Sequence, residues 1–161
     1  DDDLAWSARA AAFSRRVYDW TEWLVREPAR SVLQPALAAQ AARHRDTTVT
    51  WDDPCHLCHG QGIRSQPRLL ISWLGAPHAP LRDAESCCGS AGIYSLLRPE
   101  DSKAVLAPKL EALQETGAQV LLTANPGCHL QWESGVKRTG QRVRVLHLAE
   151  AIDRSLRGQA L

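Results

Sequence analysis

The chain has 161 residues, the size of one ordinary domain with at most an appended helical segment. Its 44% hydrophobic and 23% charged residues are typical of a globular protein, and a net charge of +1 argues against a broad nucleic-acid-binding surface. No apolar run is long enough to span a bilayer, and the three aspartates at residues 1–3 do not resemble an export signal. We therefore expect a cytoplasmic location. The absence of any methionine predicts that the chain is a piece of a longer protein.

Helical patterns dominate the first 45 residues. Apolar residues recur at helical spacing over residues 4–26, and Pro28 ends this run. Ser31 is expected to cap a second helix that reaches His44, with Pro35 near its first turn. Residues 1–45 are therefore predicted to form a helical lead-in segment, and residues 46–161 one compact α/β domain.

Strands and helices alternate after this lead-in. The predicted strands lie at residues 47–51, 119–123 and 142–146, with an irregular, proline-rich candidate at 77–83. The predicted helices lie at residues 60–73, at 99–116, after the turn 125–128, and at 148–156. Pro67 and Pro108 are possible kinks. This alternation predicts an α/β fold with a mainly parallel sheet flanked by helices.

Four of the five cysteines lie in turns that follow predicted strands. They are Cys55, Cys87, Cys88 and Cys128. Binding crevices of open α/β sheets lie beyond the carboxyl ends of the strands, so we expect these sulfurs at one edge of the sheet. An odd number of cysteines, in a chain without an export signal, favours metal or redox chemistry over disulfides.

An iron–sulfur cluster, of the 4Fe-4S type, is the first interpretation of these four cysteines. Cysteine thiolates are soft ligands that hold most such clusters. Gly89 and Gly127 are expected to let the backbone approach the cluster and to supply amides that tune it. Cys58 is a possible additional ligand.

Other interpretations remain open from the residues alone. Residues 55–59 read Cys-His-Leu-Cys-His, which matches the attachment motif of c-type haem, although it leaves three cysteines unexplained. Cys55 and Cys58 also have the spacing of half a zinc site or of a redox dithiol. Inert, buried cysteines are the remaining alternative.

Three blocks of sequence resemble the cysteine-rich CCG domain family. They are Asp53-Pro54-Cys55-His56-Leu57 with His59-Gly60-Gln61, Cys87-Cys88-Gly89-Ser90-Ala91-Gly92-Ile93-Tyr94, and Thr123-Ala124-Asn125-Pro126-Gly127-Cys128. The resemblance extends over about residues 47–157 and is specific because all three blocks occur in order. In the family pattern a further cysteine lies three residues after the one at 128, whereas this chain has Gln131 at that position.

The resemblance implies a cluster-binding part of an iron–sulfur subunit of glycolate or lactate oxidation. It implies ligation by Cys55, Cys87, Cys88 and Cys128, with the role of Cys58 open. Such a subunit carries electrons from a flavoprotein partner, where the substrate is oxidised, to a membrane acceptor. The expected partners are thus the flavoprotein and the rest of the iron–sulfur subunit, with the complex at the inner face of the cell membrane. A cluster-free scaffold of the same fold, which would only bind partners, is the alternative.

Overall fold

The computed structural model describes residues 3–161, apart from the side chain of Leu4. Within this range, strands β1 (Val49–Trp51), β2 (Val120–Thr123) and β3 (Arg144–His147) form a parallel sheet in the order β1-β2-β3. The predicted α/β fold with a parallel sheet and helices around it is confirmed.

Helices connect and cover these strands. In chain order they are α1 (Leu4–Ser14), α2 (Trp20–Leu24), α3 (Ala29–Ala38), a 3-10 turn (Ala41–His44), α4 (Cys55–Cys58), α5 (Ser65–Trp73), α6 (Tyr94–Leu97), α7 (Pro99–Thr116), α8 (Pro126–Thr139) and α9 (Leu148–Leu156). None of the helices in the described part of the chain is long and apolar enough to cross a membrane.

The sheet is buried on both faces. Leu121 and Leu122 of β2 are fully buried, and they belong to different apolar clusters because neighbours in a strand point to opposite faces. Leu122 packs in the cluster that α3, α5 and α9 cover, and Leu121 in the cluster that α7 and α8 cover. Burial of one such leucine contributes roughly 1.5–3 kcal/mol, so these two clusters are the main support of the sheet.

The N-terminal helix is shorter than predicted. The sequence pattern predicts one helix over residues 4–26, but α1 ends at Ser14 and α2 begins at Trp20. The interruption arises because Asp19 starts a new helix. Its carboxylate accepts from the Thr21 amide at 2.8 Å, and the Glu22 carboxylate accepts from the Asp19 amide at 3.3 Å, so the two residues form a capping box.

The second predicted helix, observed as α3, also begins at a different residue than predicted. It starts at Ala29, directly after Pro28, so the prediction that Ser31 is its cap is wrong. Pro35 consequently lies inside α3 rather than in its first turn. Leu37 of this helix is fully buried in the cluster beneath the sheet, and Trp20 and Leu24 of α2 pack against the same cluster, so α2 and α3 pack on the α/β core.

The region around the first cysteine contains two helices where one was predicted. A single turn, α4, spans Cys55–Cys58, and α5 begins only at Ser65 because Gly62, with φ +69°, interrupts the helical path. Pro67 lies in the first turn of α5, where no amide hydrogen bond is lost. Beyond α5, His78 forms one parallel bridge to Val49, so the irregular strand is reduced to this single pairing.

The last predicted elements are close to those observed. Helix α7 continues through Pro108 and ends at Thr116, followed by Gly117, which has φ +62° as its C-terminal cap. Helix α9 has the predicted bounds. Helix α8 begins at Pro126 rather than after Cys128, so this cysteine lies in the first turn of a helix and not in the turn before it.

Candidate metal centre

Four cysteines line one cleft at the carboxyl edge of the sheet. The cleft has a volume of about 550 Å³, and its walls come from three segments: the start of α4, the loop before α6, and the N-terminus of α8. Its sulfur-bearing residues are Cys55, Cys87, Cys88 and Cys128. All of them are free thiols, so no disulfide occupies the donor atoms. The structure thus brings together the four cysteines that were singled out from the sequence.

Cys55 enters the cleft from the end of β1. The strand is followed by residues 52–54, and Pro54 directs the chain into α4 with Cys55 as its first residue. Burial raises the pKa of the Cys55 thiol, and the neighbouring Cys87 raises it further. Cys55 itself is exposed, which leaves this thiol accessible from solvent.

Cys87 and Cys88 lie in a glycine-rich loop with an unusual backbone. The amide of Gly89 donates to Cys87 Sγ at 3.3 Å, and Gly89 has φ +82°. A Cβ atom on Gly89 would lie 2.5 Å from the carbonyl oxygen of Ser102, so glycine is needed both for the φ angle and for the close approach of α7. Ala91 also has positive φ, +38°, which is costly for a residue with a side chain. Strain of this kind is often found at functional sites.

Cys128 reaches the cleft from the first turn of α8. Asn125 caps this helix, since its side-chain oxygen accepts from the amides of Gly127 at 2.9 Å and Cys128 at 3.1 Å. The N-terminus of α8 therefore lies at the cleft, and the positive end of its helix dipole stabilises the negative charge of a thiolate there.

The two buried thiols of the cleft form a pair. Cys88 Sγ and Cys128 Sγ lie 3.0 Å apart and share a hydrogen bond. That bond and burial raise the pKa of Cys128 far above its ordinary range, whereas the same bond lowers the pKa of Cys88. Thiols in such pairs release their protons when they bind a metal.

Gly127 has a packing role that the sequence did not indicate. Because its amide is used by the Asn125 cap, it is not free to donate into the cleft. A Cβ on Gly127 would lie 2.9 Å from Ser90 Oγ, so the absent side chain lets α8 approach the Cys87–Cys88 loop. Gly127 thereby brings Cys128 and the loop cysteines together.

Cys58 does not line the cleft. It is buried, and its thiol donates to the carbonyl oxygen of Asp53 at 3.6 Å. His59, the last residue of the haem-like motif, has its Nε2 3.0 Å from the carbonyl oxygen of Glu85. The exposed Cys55 and the buried Cys58 therefore do not present two thiols on one surface, as haem attachment requires.

Gln131 supports the cysteine loop in place of the family's further cysteine. Its side-chain nitrogen donates to Ser102 Oγ at 2.8 Å, and Ser102 Oγ donates in turn to the carbonyl oxygen of Gly89 at 2.7 Å. The Gln131 side chain thus holds the loop through two consecutive hydrogen bonds, with Ser102 between Gln131 and Gly89. Glutamine offers no thiolate, so the soft donors of the cleft are its four cysteines.

A buried ion pair below the cleft was missed by the sequence reasoning. Lys109 Nζ lies 2.7 Å from Asp52 Oδ1, and both side chains are at most 2% exposed. Burial raises the pKa of Asp52, and the Lys109 ammonium opposes this rise. The signal was present in the sequence, since Lys109 stands within the apolar stripe that Leu106, Leu110 and Leu113 form on α7.

The soft thiolate donors of the cleft suit an iron–sulfur cluster. Among residues 3–161, no three side chains of His, Cys, Asp or Glu converge closely enough to hold one metal ion. Four cysteine thiolates are the usual ligand set of iron–sulfur clusters, and the four cysteines of the cleft would supply it. Two larger concavities, of about 720 and 630 Å³, lie along α8, but neither is lined by cysteine or histidine. The chemistry of the donors therefore identifies the smaller cleft.

Comparison with known proteins gives a consistent result. The model of the cysteine-rich CCG domain family matches residues 49–133, about half of the chain. A probable glycolate oxidase iron-sulfur subunit from Bacillus subtilis is 40% identical over 154 residues, which are 94% of this chain and 33% of that protein. Lactate utilization protein A from Bacillus cytotoxicus is 29% identical over 153 residues, 94% of this chain and 61% of that protein. Lactate utilization protein A from Lysinibacillus sphaericus is 27% identical over 152 residues, which are 94% of this chain and 63% of that protein. The chain thus spans from a third to less than two thirds of the length of these curated relatives.

Proposed function

Because the chain belongs to the cysteine-rich CCG domain family, we propose that it is the cluster-binding part of an iron–sulfur subunit of a 2-hydroxy acid dehydrogenase of the glycolate or lactate type. The observation that carries the proposal is the meeting of four free thiols from three separate segments in one cleft. The names of the relatives, an iron-sulfur subunit of glycolate oxidase and a lactate utilization protein, support the substrate class.

The proposed ligands are the four cysteines of the cleft. Cys55, Cys87, Cys88 and Cys128 would hold an iron–sulfur cluster, which we propose to be of the 4Fe-4S type. When bound, such a cluster accepts and donates one electron. The Gly89 amide, which donates to Cys87 Sγ, would stabilise the thiolate, and the N-terminus of α8 would stabilise negative charge at Cys128.

The proposed role of the chain is to relay electrons. A 2-hydroxy acid loses two electrons when it is oxidised, and we place this step on the flavin of a partner flavoprotein. The electrons would then pass through the iron–sulfur subunit one at a time to an acceptor in the membrane. Accessible Cys55 and Cys87 lie at the open side of the cleft, which is where a donor or acceptor could approach.

Replacement of Cys128 by serine tests the proposed ligand set. The full-length protein carrying Cys128→Ser is reconstituted anaerobically with iron and sulfide, and its iron, its labile sulfide and the EPR spectrum of its reduced form are compared with those of the wild type. We expect the variant to lose the signal of this cluster, because a hydroxyl is a poor substitute for a soft thiolate.

Cys58→Ser is the matched control, since Cys58 lies in the same region but outside the cleft. Serine keeps the size and polarity of this side chain closely, and Cys58 supplies no wall of the cleft, so this variant should keep the cluster. Full iron and sulfide content in Cys128→Ser would contradict the ligand set. Absence of any cluster at this site in the wild type would favour a cluster-free scaffold instead.

A further inference from the structure

Buried Lys109 contacts the loop that carries two of the proposed ligands. We propose that Lys109 is a positioning residue, which fixes the Cys87–Cys88 loop for cluster binding. It also places an ammonium group, paired with the Asp52 carboxylate, beneath the cleft. This inference rests on the proposed function, because it concerns how the protein prepares the same four thiols.

The Lys109 ammonium makes two hydrogen bonds to backbone carbonyl oxygens and one ion pair. Nζ donates to the carbonyl oxygen of Ala84 at 2.8 Å and to that of Ser86 at 2.6 Å, and it lies 2.7 Å from the carboxylate of Asp52. Two of the three ammonium N–H groups thus donate to backbone carbonyl oxygens, and Asp52 pairs with the charge. Since Ser86 directly precedes Cys87, Lys109 holds the backbone immediately before the first loop thiol.

Asp52 anchors this contact to the sheet. It directly follows β1, and its amide donates to the carbonyl oxygen of Leu122 at 2.9 Å. Its second carboxylate oxygen accepts from Thr123 Oγ1 at 3.1 Å. Contacts with the end of β2 thus hold the Asp52 carboxylate in position, and the carboxylate in turn holds the Lys109 ammonium through the ion pair.

The same short segment, residues 84–86, is also tied to the region of Cys55. The Asp53 amide donates to the Ala84 carbonyl oxygen at 3.1 Å, and His59 Nε2 lies 3.0 Å from the carbonyl oxygen of Glu85. The Glu85 carboxylate pairs with Arg64. Residues 84–86 therefore bridge α4 and α7, and their position sets how far Cys87 lies from Cys55.

Stability alone is a weak explanation for the Lys109–Asp52 pair. The loss of hydration of two buried charges offsets most of their attraction, and an apolar replacement of a buried pair is often neutral or stabilising. The nearby arginines Arg64 and Arg68 are already engaged with Glu85 and Asp53. Lys109 is thus a buried cation below the cleft whose other bonds go to the cysteine loop.

The first experiment measures cluster loading in the full-length protein. Lys109→Met removes the ammonium but keeps a side chain of similar length. We expect at least fivefold less iron and labile sulfide per chain than in the wild type, at a temperature where circular dichroism shows the variant to be folded. Lys103→Met is the control, because Lys103 lies on the same helix but is exposed and pairs only with Glu100. It should load like the wild type.

A double variant separates positioning from stability. Lys109→Met leaves Asp52 without its partner, which is itself destabilising. Asp52→Asn with Lys109→Met removes both charges of this buried pair and should recover stability, measured by urea unfolding, while cluster loading stays at least fivefold low. Recovery of loading together with stability would show a purely structural role and would overturn the inference.

The single Asp52→Asn variant tests how the charge of Lys109 affects the reduction of the cluster. It retains Lys109 and its bonds to both carbonyl oxygens, but leaves the positive charge unbalanced near the thiols. A positive charge favours the reduced cluster, so in a dithionite titration followed by EPR we expect at least a tenfold shift of the one-electron equilibrium toward reduction, which is 59 mV. An unchanged potential would overturn the inference while leaving the proposed function intact. A wild-type protein that binds no iron at this site would instead overturn the proposed function itself.

Discussion

Replacement of Gly89 by alanine tests how the cysteine loop is held against α7. Gly89 has φ +82°, and a Cβ atom there would lie 2.5 Å from the carbonyl oxygen of Ser102. A backbone carbonyl in the first turn of α7 cannot move aside as a flexible side chain can. The loop or the helix must therefore shift, and the Ser102 hydrogen bond to the Gly89 carbonyl oxygen would be distorted with it.

The magnitude follows from two contributions. A residue with a side chain at positive φ costs about 1–2 kcal/mol relative to glycine. Forcing an additional carbon into a packed contact costs typically about 1–3 kcal/mol more. We therefore expect Gly89→Ala to lower the free energy of unfolding by about 2–5 kcal/mol.

Gly92→Ala is a matched control in the same loop. Gly92 also has positive φ, +62°, but a Cβ atom there would meet nothing within 4 Å. It should show only the conformational cost, about 1–2 kcal/mol. Both free energies are measured by urea unfolding of the metal-free protein, followed by tryptophan fluorescence. If the two variants are equally stable, the close approach of Ser102 to Gly89 is not a constraint and the reasoning is refuted.

Two further predictions concern His44 and Gly127. Burial, and to a lesser extent Arg43, lowers the pKa of His44, so the unfolded chain binds its proton more readily and stability should fall as the pH drops below about 6.5. In His44→Gln, urea unfolding at about pH 7.5 and 5.5 should show a smaller loss than in the wild type; an equal loss would exclude this contribution. Gly127→Ala should lower the free energy of unfolding by about 1–3 kcal/mol, because its Cβ would lie 2.9 Å from Ser90 Oγ. Ser90→Ala should recover part of this loss in the double variant, and purely additive effects would argue against the contact.

The positions of the helix boundaries show where sequence patterns are ambiguous. The apolar residues between positions 4 and 26 fit one helical period, yet the capping box at Asp19 divides them into α1 and α2. A periodic pattern indicates which face of a helix is apolar, but side-chain caps decide where helices begin and end. For the same reason Cys128 lies inside α8, since Asn125 caps that helix three residues earlier.

The sequence alone determined the fold class and the chemical type of the site. Alternating strand and helix patterns predicted the parallel sheet, and cysteines placed after strands predicted a sulfur-rich edge. These features depend on neighbouring residues and on the general geometry of parallel sheets, so they are visible without coordinates.

Only the tertiary structure decided which side chains meet. Cys55 and Cys58 are three residues apart and look equivalent in the sequence, but Cys58 turns into the core while Cys55 lines the cleft. Lys109 appears as an isolated charge on an apolar helix face until Asp52 and the Ser86 carbonyl oxygen are found beside it. These contacts join segments that are far apart in the chain, and their distances depend on how whole helices pack on the sheet, which no local pattern encodes.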